Sequence, residues 1–410
     1  MGLVVQKYGG TSVATPERIS RVAERVVQSR KEGNDVLVVV SAMGDTTDEL
    51  IALARAVNPN PPARELDMLL TAGERISMAL CAMAIEARGV QAVSFTGSQA
   101  GILTDAAHGA AKIREIRGDR VRQALAEGKV VIVAGFQGVD PQSKEVTTLG
   151  RGGSDATAVA LAAAFGAEVC EIYTDVDGVY TADPRLVSDA RKLDEISFEE
   201  MLELSASGAG VLMSRSVEVG RRYGIPIHVR SSFNDHPGTW VKESTMEQAI
   251  ISGIAHDVSE AKLTIRGVPD RPGVAAALFE PMAAEGVNVD MIVQNVSTDG
   301  TTDISLTVPK ASLETARRIA QEVASRVGAR GVEVDAAIGK VSLVGAGMKS
   351  HPGVAARVFR TLADAGINIE MISTSTIRIS CVVREEDVTA AVKALHAAFE
   401  PPLVEEEVGA

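Results

Sequence analysis

The 410-residue chain is short of several things, and each shortage closes off a class of protein. Its three cysteines, Cys81, Cys170 and Cys381, lie far apart with no CxxC pair, so neither a disulfide framework nor a cysteine zinc site is expected. Six histidines form no HxxxH or HExxH spacing, which removes the helix-borne metal motifs. Positive charge is scarce: 41 Lys and Arg against 54 Asp and Glu leave a net charge of −13, arguing against nucleic acid or a membrane surface as partner. No apolar run approaches the length of a membrane span, and the N-terminus lacks a signal-peptide pattern. Met1-Gly2 would suit a myristoyl group, but Gln6 stands where that motif wants Ser or Thr. Cytoplasmic residence is the expectation. What is plentiful is apolar side chain, 46% of the chain, enough for the cores of two or three domains.

Residues 1 to about 240 alternate short apolar strands with amphipathic helices, which predicts an α/β domain with a largely parallel sheet. Val36–Val40 and Val130–Val133 are continuous apolar runs, as expected of strands buried on both faces. Thr15-Pro16-Glu17 starts a helix whose apolar stripe is Ile19, Val22, Ala23, Val26 and Val27. Residues 231–260, with Asn234-Asp235-His236-Pro237-Gly238, read as a turn and connector. The second half holds an internal repeat. Asp270-Arg271-Pro272-Gly273-Val274-Ala275-Ala276, then Phe279, Ala283, Gly286, Asn288 and Met291-Ile292, recurs 80 residues later (352 − 272 = 80). The later copy is Ser350-His351-Pro352-Gly353-Val354-Ala355-Ala356, then Phe359, Ala363, Gly366, Asn368 and Met371-Ile372. Each copy reads as strand, turn, helix, strand, with a further strand and helix to complete it. Asn in a turn beside a helix end is well placed to hold an amino acid, though a purely structural duplication has the same pattern.

Two glycine-rich loops carry the chemistry. Lys7-Tyr8-Gly9-Gly10-Thr11-Ser12 follows the apolar Leu3-Val4-Val5 and reads as a strand-to-helix turn. Leu149-Gly150-Arg151-Gly152-Gly153-Ser154-Asp155 precedes the buried-helix composition of residues 156–162. Glycines allow backbone N–H groups to approach an anion, a helix start adds partial positive charge, and Lys7 and Arg151 add full charges. Each loop has a bland reading as well: a solvated lysine in a turn, and Ser154 as an ordinary helix cap with Asp155 as dipole partner. Together they predict a site for phosphoryl transfer between two anions.

Three further segments are candidates. Ser41 to Asp48 follows the Val36–Val40 strand and either binds a carboxylate or caps the next helix. Glu74 is either a surface carboxylate or a holder of a substrate ammonium. Thr174 to Arg185 is either a plain turn or a nucleotide loop offering Tyr180 as a flat surface for a base, Arg185 for a phosphate, and Asp carboxylates near Mg²⁺. Gly345 to Ser350 imitates a nucleotide loop but lacks both the GxxxxGK[ST] spacing and the third glycine of GxGxxG, and is read as a regulatory turn.

Lys7 to Ser12, Gly150 to Asp155 and the Thr174–Arg185 loop resemble those of aspartate kinases, and the repeat resembles the paired ACT domains that regulate them. The likeness covers nearly the whole chain and is nearest to the actinobacterial type inhibited jointly by lysine and threonine. It implies an amino-acid-kinase fold over 1–245 and ACT domains of βαββαβ order over 260–338 and 340–403. It also implies transfer of the γ-phosphoryl of Mg-ATP to the β-carboxylate of L-aspartate, on the route to lysine, threonine and methionine. By motif position Lys7 would bridge the phosphates and Asp155 would orient it. Ser41, Thr47, Glu74, Arg151, Gly152, Gly153 and Ser154 would hold aspartate. Tyr8, Gly9, Gly10, Thr174, Asp175, Tyr180 and Arg185 would join Lys7 around ATP. Effector amino acids would meet Asp270, Ala275, Asn288, Val289, Asp290 and Gln294 in one copy, and Val354, Ala355, Asn368, Ile369, Ser375 and Thr376 in the other. No resident metal is implied.

One departure stands out: the family usually has a nucleotide-contacting lysine after Ser207-Gly208-Ala209, where this chain has Gly210, with Arg215 as a possible substitute cation. An amino-acid sensor with an impaired kinase half is the alternative that Gly210 raises. The resemblance further implies an oligomer formed through the ACT domains, with a shorter regulatory subunit starting near Met246.

Overall fold

The computed structural model describes residues 2–243, 251–294, 300–351 and 353–399, so Met246 lies outside the described residues. The chain divides into two contact units. The first holds residues up to Tyr180, Lys192–Ala206 and Gly210–Met246; the second holds Thr181–Arg191, Ser207–Ala209 and the residues from Glu247 onward.

In the first unit, β1 (Leu3–Tyr8), α1 (Pro16–Lys31), β2 (Asp35–Val40), α2 (Thr46–Val57), α3 (Ala63–Glu86) and β3 (Ala92–Phe95) lead the chain. Next come β4 (Ile102–Thr104), β5 (Ile113–Ile116), α4 (Asp119–Ala126), β6 (Val130–Ala134), β7 (Gln137–Val139) and β8 (Val146–Thr148). Then follow α5 (Gly153–Phe165), β9 (Val169–Thr174), β10 (Glu195–Ser197), α6 (Phe198–Ala206), α7 (Ser214–Tyr223), β11 (Ile227–Ser231) and β12 (Thr239–Lys242). Eight strands form the main sheet in the order β10-β12-β11-β9-β1-β2-β6-β3, parallel except where β11 meets β12. The predicted mostly parallel sheet is thus present, and the runs Val36–Val40 and Val130–Ala134 are fully buried in it. Thr15 caps α1 by accepting from the Arg18 N–H, and the five expected stripe residues are all buried. Side chains alternate across β1: Tyr8 joins the core that α1 and α3 form with Val38, Val40 and Ile132, while Lys7 faces α5.

Several sequence expectations are corrected here. Lys7 and Tyr8 end strand β1 instead of lying in the turn, and the glycines lead into a short 3₁₀ helix, Gly10–Val13, before α1. The domain is not one parallel sheet throughout: β8, the strand before the second glycine loop, lies in a separate sheet of order β5-β4-β7-β8, because its three residues pair antiparallel with β7. Residues 231–260 are more than a connector: they contain β12 at the main sheet's margin and a strand of the second unit. Helix α3, 24 residues, is long and apolar enough on average to cross a membrane, although, as the sequence indicates, Asp67, Glu74 and Arg75 break its apolar run. Here it is a core helix, burying Leu70, Met78, Cys81 and Ile85 within the first unit.

The second unit opens with β13 (Gly253–Asp257) and continues with β14 (Glu260–Pro269), α8 (Val274–Ala284), β15 (Ile292–Gln294), β16 (Thr301–Pro309), α9 (Leu313–Val327) and β17 (Gly331–Asp335). The later copy supplies β18 (Ile338–Val344), α10 (Val354–Asp364), β19 (Met371–Thr374), β20 (Arg378–Arg384) and α11 (Val388–Phe399). The first copy has the expected βαββαβ order and a sheet β15-β16-β14-β17. The second has only βαββα in its own stretch; its fourth strand is β13, which precedes the first copy in the chain and pairs antiparallel with β18. The Gly345–Ser350 segment is a short 3₁₀ turn after β18.

Reciprocal ion pairs join the two copies. Lys262 of the first reaches Glu370 of the second, and Lys340 of the second reaches Asp290 of the first, with Glu260 at 3.0 Å. Asp290 and Glu370 occupy matched repeat positions (370 − 290 = 80). Burial alone would lower the pKa of Lys340, but the charges of Glu260 and Asp290 outweigh it and raise the value.

Candidate active site

The ends of β1 and β2 and the start of α5 meet in the first unit. Lys7 Nζ lies 2.6 Å from Asp155 Oδ1, both side chains about nine-tenths buried, a charge contact not aligned as a hydrogen bond. This one pair ties the first glycine loop to the second. The first loop also docks on the segment after β2: Gly44 N–H donates to Gly10 O at 3.0 Å, and Ser41 N–H to Tyr8 O at 3.1 Å. A Cβ on Gly10 would come within 2.9 Å of Gly44 O, backbone against backbone, so only glycine fits.

The second loop turns through Gly150 and Gly152, both left-handed, and α5 then starts at Gly153. Ser154 is therefore not the cap; it and Asp155 sit inside the first helical turn, capped by Gly152, and both are buried. N–H groups of that turn have no intrahelical carbonyl partner, which makes the helix start receptive to an anion. Gly152 has φ +69°, and a Cβ there would run into Met213. Arg151 is exposed on the turn. Arg215 donates to Leu149 O at 3.2 Å, so this cation braces the loop's base. Gly210 is exposed, with open space where a side chain would go.

Glu74 is not a surface carboxylate. It is 3% exposed in α3, with Oε1 accepting from the Ala42 N–H at 3.2 Å and Oε2 buried without a partner. Burial pushes its carboxyl up to about 7, against the downward pull of hydrogen bonds from backbone N–H groups including that of Ala42. A buried, half-satisfied carboxylate beside the Ser41–Thr47 segment suits an incoming cation. Thr47 is half-buried in the first turn of α2.

The nucleotide candidates divide. Gly9 N–H donates to Tyr173 O at 3.2 Å, bringing the first loop beside the end of β9, where Thr174 and exposed Asp175 follow. Tyr180 is half-buried and bridges to Lys192. The Tyr8 ring is buried and stacked on Tyr173 at 4.8 Å, so only its backbone faces the loops. Arg185 belongs to the second unit, where it pairs with Asp183 through bonds of 2.7 to 3.2 Å. No cluster of three or more His, Cys, Asp or Glu arranged to hold a metal ion occurs among the described residues.

In the second unit, Asn288 and Asn368 are exposed in the turns between α8 and β15 and between α10 and β19. Val289, Asp290 and Gln294 lie beside the first, and Ile369, Ser375 and Thr376 follow the second, while Ala275, Val354 and Ala355 open the helices. Asp270 is exposed, its N–H donating to Gly300 O at 3.0 Å. Sequence reading missed Asp67, a fully buried acid in α3; its signal is the polar series Asp67, Thr71, Glu74, Ser77 on one face of an otherwise apolar helix.

Comparison with known proteins fits this arrangement. Residues 2–231 match the amino acid kinase family, and residues 263–323 and 341–399 match the ACT domain. The chain is 61% identical over 405 residues to an aspartokinase of Mycolicibacterium smegmatis, covering 97% of this chain and 96% of that one. It is 58% identical over 406 residues to an aspartokinase of Corynebacterium glutamicum, covering 98% and 96%. The crystal structure of E. coli aspartokinase III in complex with aspartate and ADP superposes with a TM-score of 0.85 at 28% identity, covering 97% of this chain and all of that one. That enzyme has also been solved with lysine and aspartate, with a TM-score of 0.73 at 29% identity over 97% of this chain and 99% of that one. With its glycine-loop geometry, its doubled ACT unit and this likeness from end to end, the chain belongs to the aspartokinase family of phosphotransferases.

Proposed function

We propose that the chain moves the γ-phosphoryl group of Mg-ATP to the β-carboxylate of L-aspartate, giving 4-phospho-L-aspartate and ADP, under control by lysine, threonine or both. The observation that carries this reading is the 2.6 Å contact of Lys7 with Asp155 beside the Arg151 turn. An oxygen of the β-carboxylate attacks the γ-phosphorus while the bond to the ADP oxygen breaks, and the displaced charge collects on ADP. A carboxylate is already ionised, so no base is needed; the demand is for charge neutralisation and alignment. Lys7 bridges the phosphates, held by Asp155, and the Gly10 N–H and the start of α5 face the transferred group, while Gly9, its own N–H spent on Tyr173 O, lets the backbone pass close by. Arg151 and Ser154 hold carboxylate oxygens of aspartate, Glu74 Oε2 takes its ammonium, and Ser41 and Thr47 close that end. Thr174, Asp175 and Tyr180 take the nucleotide. Mg²⁺ arrives on the ATP phosphates as part of that cosubstrate, with Asp175 the exposed carboxylate nearest in sequence to the nucleotide strand.

For regulation, the turns at Asn288 and Asn368 are the effector sites, and the ACT copies are the surface through which subunits assemble. The complexes of E. coli aspartokinase III with aspartate and ADP, and with lysine and aspartate, support these ligand classes. The test is acyl-phosphate formation, read as the hydroxamate, from aspartate and ATP with lysine and threonine added singly and together. Absence of hydroxamate, with effector binding intact, would replace this reading by that of a sensor with an impaired kinase half.

A further inference from the structure

Asp67 has no role in the reaction just described, yet both of its carboxylate oxygens are fully engaged. It is 1% exposed within α3. Its oxygens take the Thr148 hydroxyl at 2.6 Å, the Thr148 N–H at 3.1 Å, the Gly109 N–H at 3.1 and 3.2 Å, and His108 Nδ1 at 2.7 Å. Four donors from two separate segments thus converge on one buried charge, and charge-assisted bonds of this kind are the strong ones.

Both segments lead to the same place. Thr148 ends β8, and Leu149-Gly150-Arg151 follows it directly. Ala111 N–H donates to Thr148 O at 2.9 Å, and a Cβ on Gly150 would lie 3.0 Å from Gly109 O, so the turn rests on the 108–111 segment. Asp67 therefore grips both the strand end that leads into Arg151 and the 108–109 stretch beside which its turn rests. It stands two helical turns before Glu74 on the buried face of the same helix. A single rigid element thereby carries the group for the substrate's ammonium and anchors the turn for its carboxylate.

We propose that Asp67 is the positioning residue for Arg151, fixing the distance between the cationic and anionic ends of the amino-acid substrate site. The proposal rests on the assignment of Arg151 to aspartate made above. It is tested by steady-state kinetics of Asp67→Asn and Thr148→Val, each also in an Arg151→Ala background, with thermal melting of every variant. Thr148→Val removes the 2.6 Å bond while keeping the buried carboxylate and its other donors, so it reports even if Asp67→Asn fails to fold.

Both substitutions should raise the KM for aspartate about tenfold and leave the KM for ATP within about twofold, the size expected for one lost bond to a charged group. In the Arg151→Ala background the same changes should add almost nothing to the aspartate KM, because the group they position is gone. A large Arg151→Ala effect with fully additive penalties overturns the clamp alone, as does a lowered melting temperature with both KM values unmoved. An unchanged aspartate KM in Arg151→Ala itself would sink the substrate assignment, and the clamp's purpose with it.

Discussion

Glu74 gives the sharpest test, because its protonation state and the ammonium-binding role proposed for it oppose each other. Burial raises its carboxyl to about 7, so without aspartate it is about half protonated at neutral pH. The ammonium of aspartate needs the ionised form. The ionised fraction rises from about 0.1 at pH 6 to about 0.9 at pH 8, so the KM for aspartate should fall about tenfold over that range. Neither the substrate's ammonium nor its carboxylates titrate there. Binding at pH 7 should release about half a proton, measurable by calorimetry in buffers of different ionisation enthalpy. Glu74→Gln should raise the KM and abolish both effects.

Stability should move the other way. The folded-state pKa lies above the unfolded one, so the native protein binds the extra proton between them, and stability falls as pH rises from about 4.5 to about 7. The loss is at most about 3 kcal/mol at 1.36 kcal/mol per unit, which Glu74→Gln should restore at pH 8 as a higher melting temperature. A flat pH profile of the aspartate KM in the parent enzyme, or an unshifted one in Glu74→Gln, would refute the reasoning.

Three further outcomes are expected. Lys7→Met should lower kcat at least about a hundredfold, since it removes the cation proposed to bridge the phosphates; a variant retaining most of its turnover in the hydroxamate assay would remove Lys7 from the mechanism. Gly210→Lys, at an exposed position with nothing within 4 Å of the added Cβ, should fold normally and lower the KM for ATP several-fold; no change would mean the missing charge costs nothing. Lys340→Met leaves Glu260 and Asp290 without their cation and should destabilise the second unit by about 3 kcal/mol; an unchanged melting curve would show that the ion pair contributes nothing.

Much of this was legible in the sequence because the signals are local. An apolar run of five, a Thr-Pro helix start and a glycine pair after a strand each act over a few residues, and β2, α1 and the turn at Gly9-Gly10 appear where they indicate. The repeat offset of 80 likewise identified both ACT copies. What escaped depends on partners distant in sequence. Three-residue β8 has no periodicity to read, and only its pairing with β7 shows which sheet it joins. The completion of the second ACT sheet by β13, before the first copy, leaves no trace in the repeat itself. The burial of Glu74 and Asp67 depends on what α3 packs against; the polar residues at spacings of four and three on its buried face were the available hint.

The traffic of the chain between its two units has a practical consequence. Thr181–Arg191 and Ser207–Ala209 are inserted into the unit otherwise built from residue 247 onward. There Ala182 and Val187 are buried in a core with Leu343, Val358 and Val392, and the Thr181 hydroxyl meets His396 Nε2 at 3.0 Å. Cutting the polypeptide at the apparent seam near residue 246 would not yield two intact halves: the front fragment would carry bare apolar side chains, and the rear one would lack part of its interior. The segment that follows β9 is thus folded in part with the second unit, although the chain around it belongs to the first.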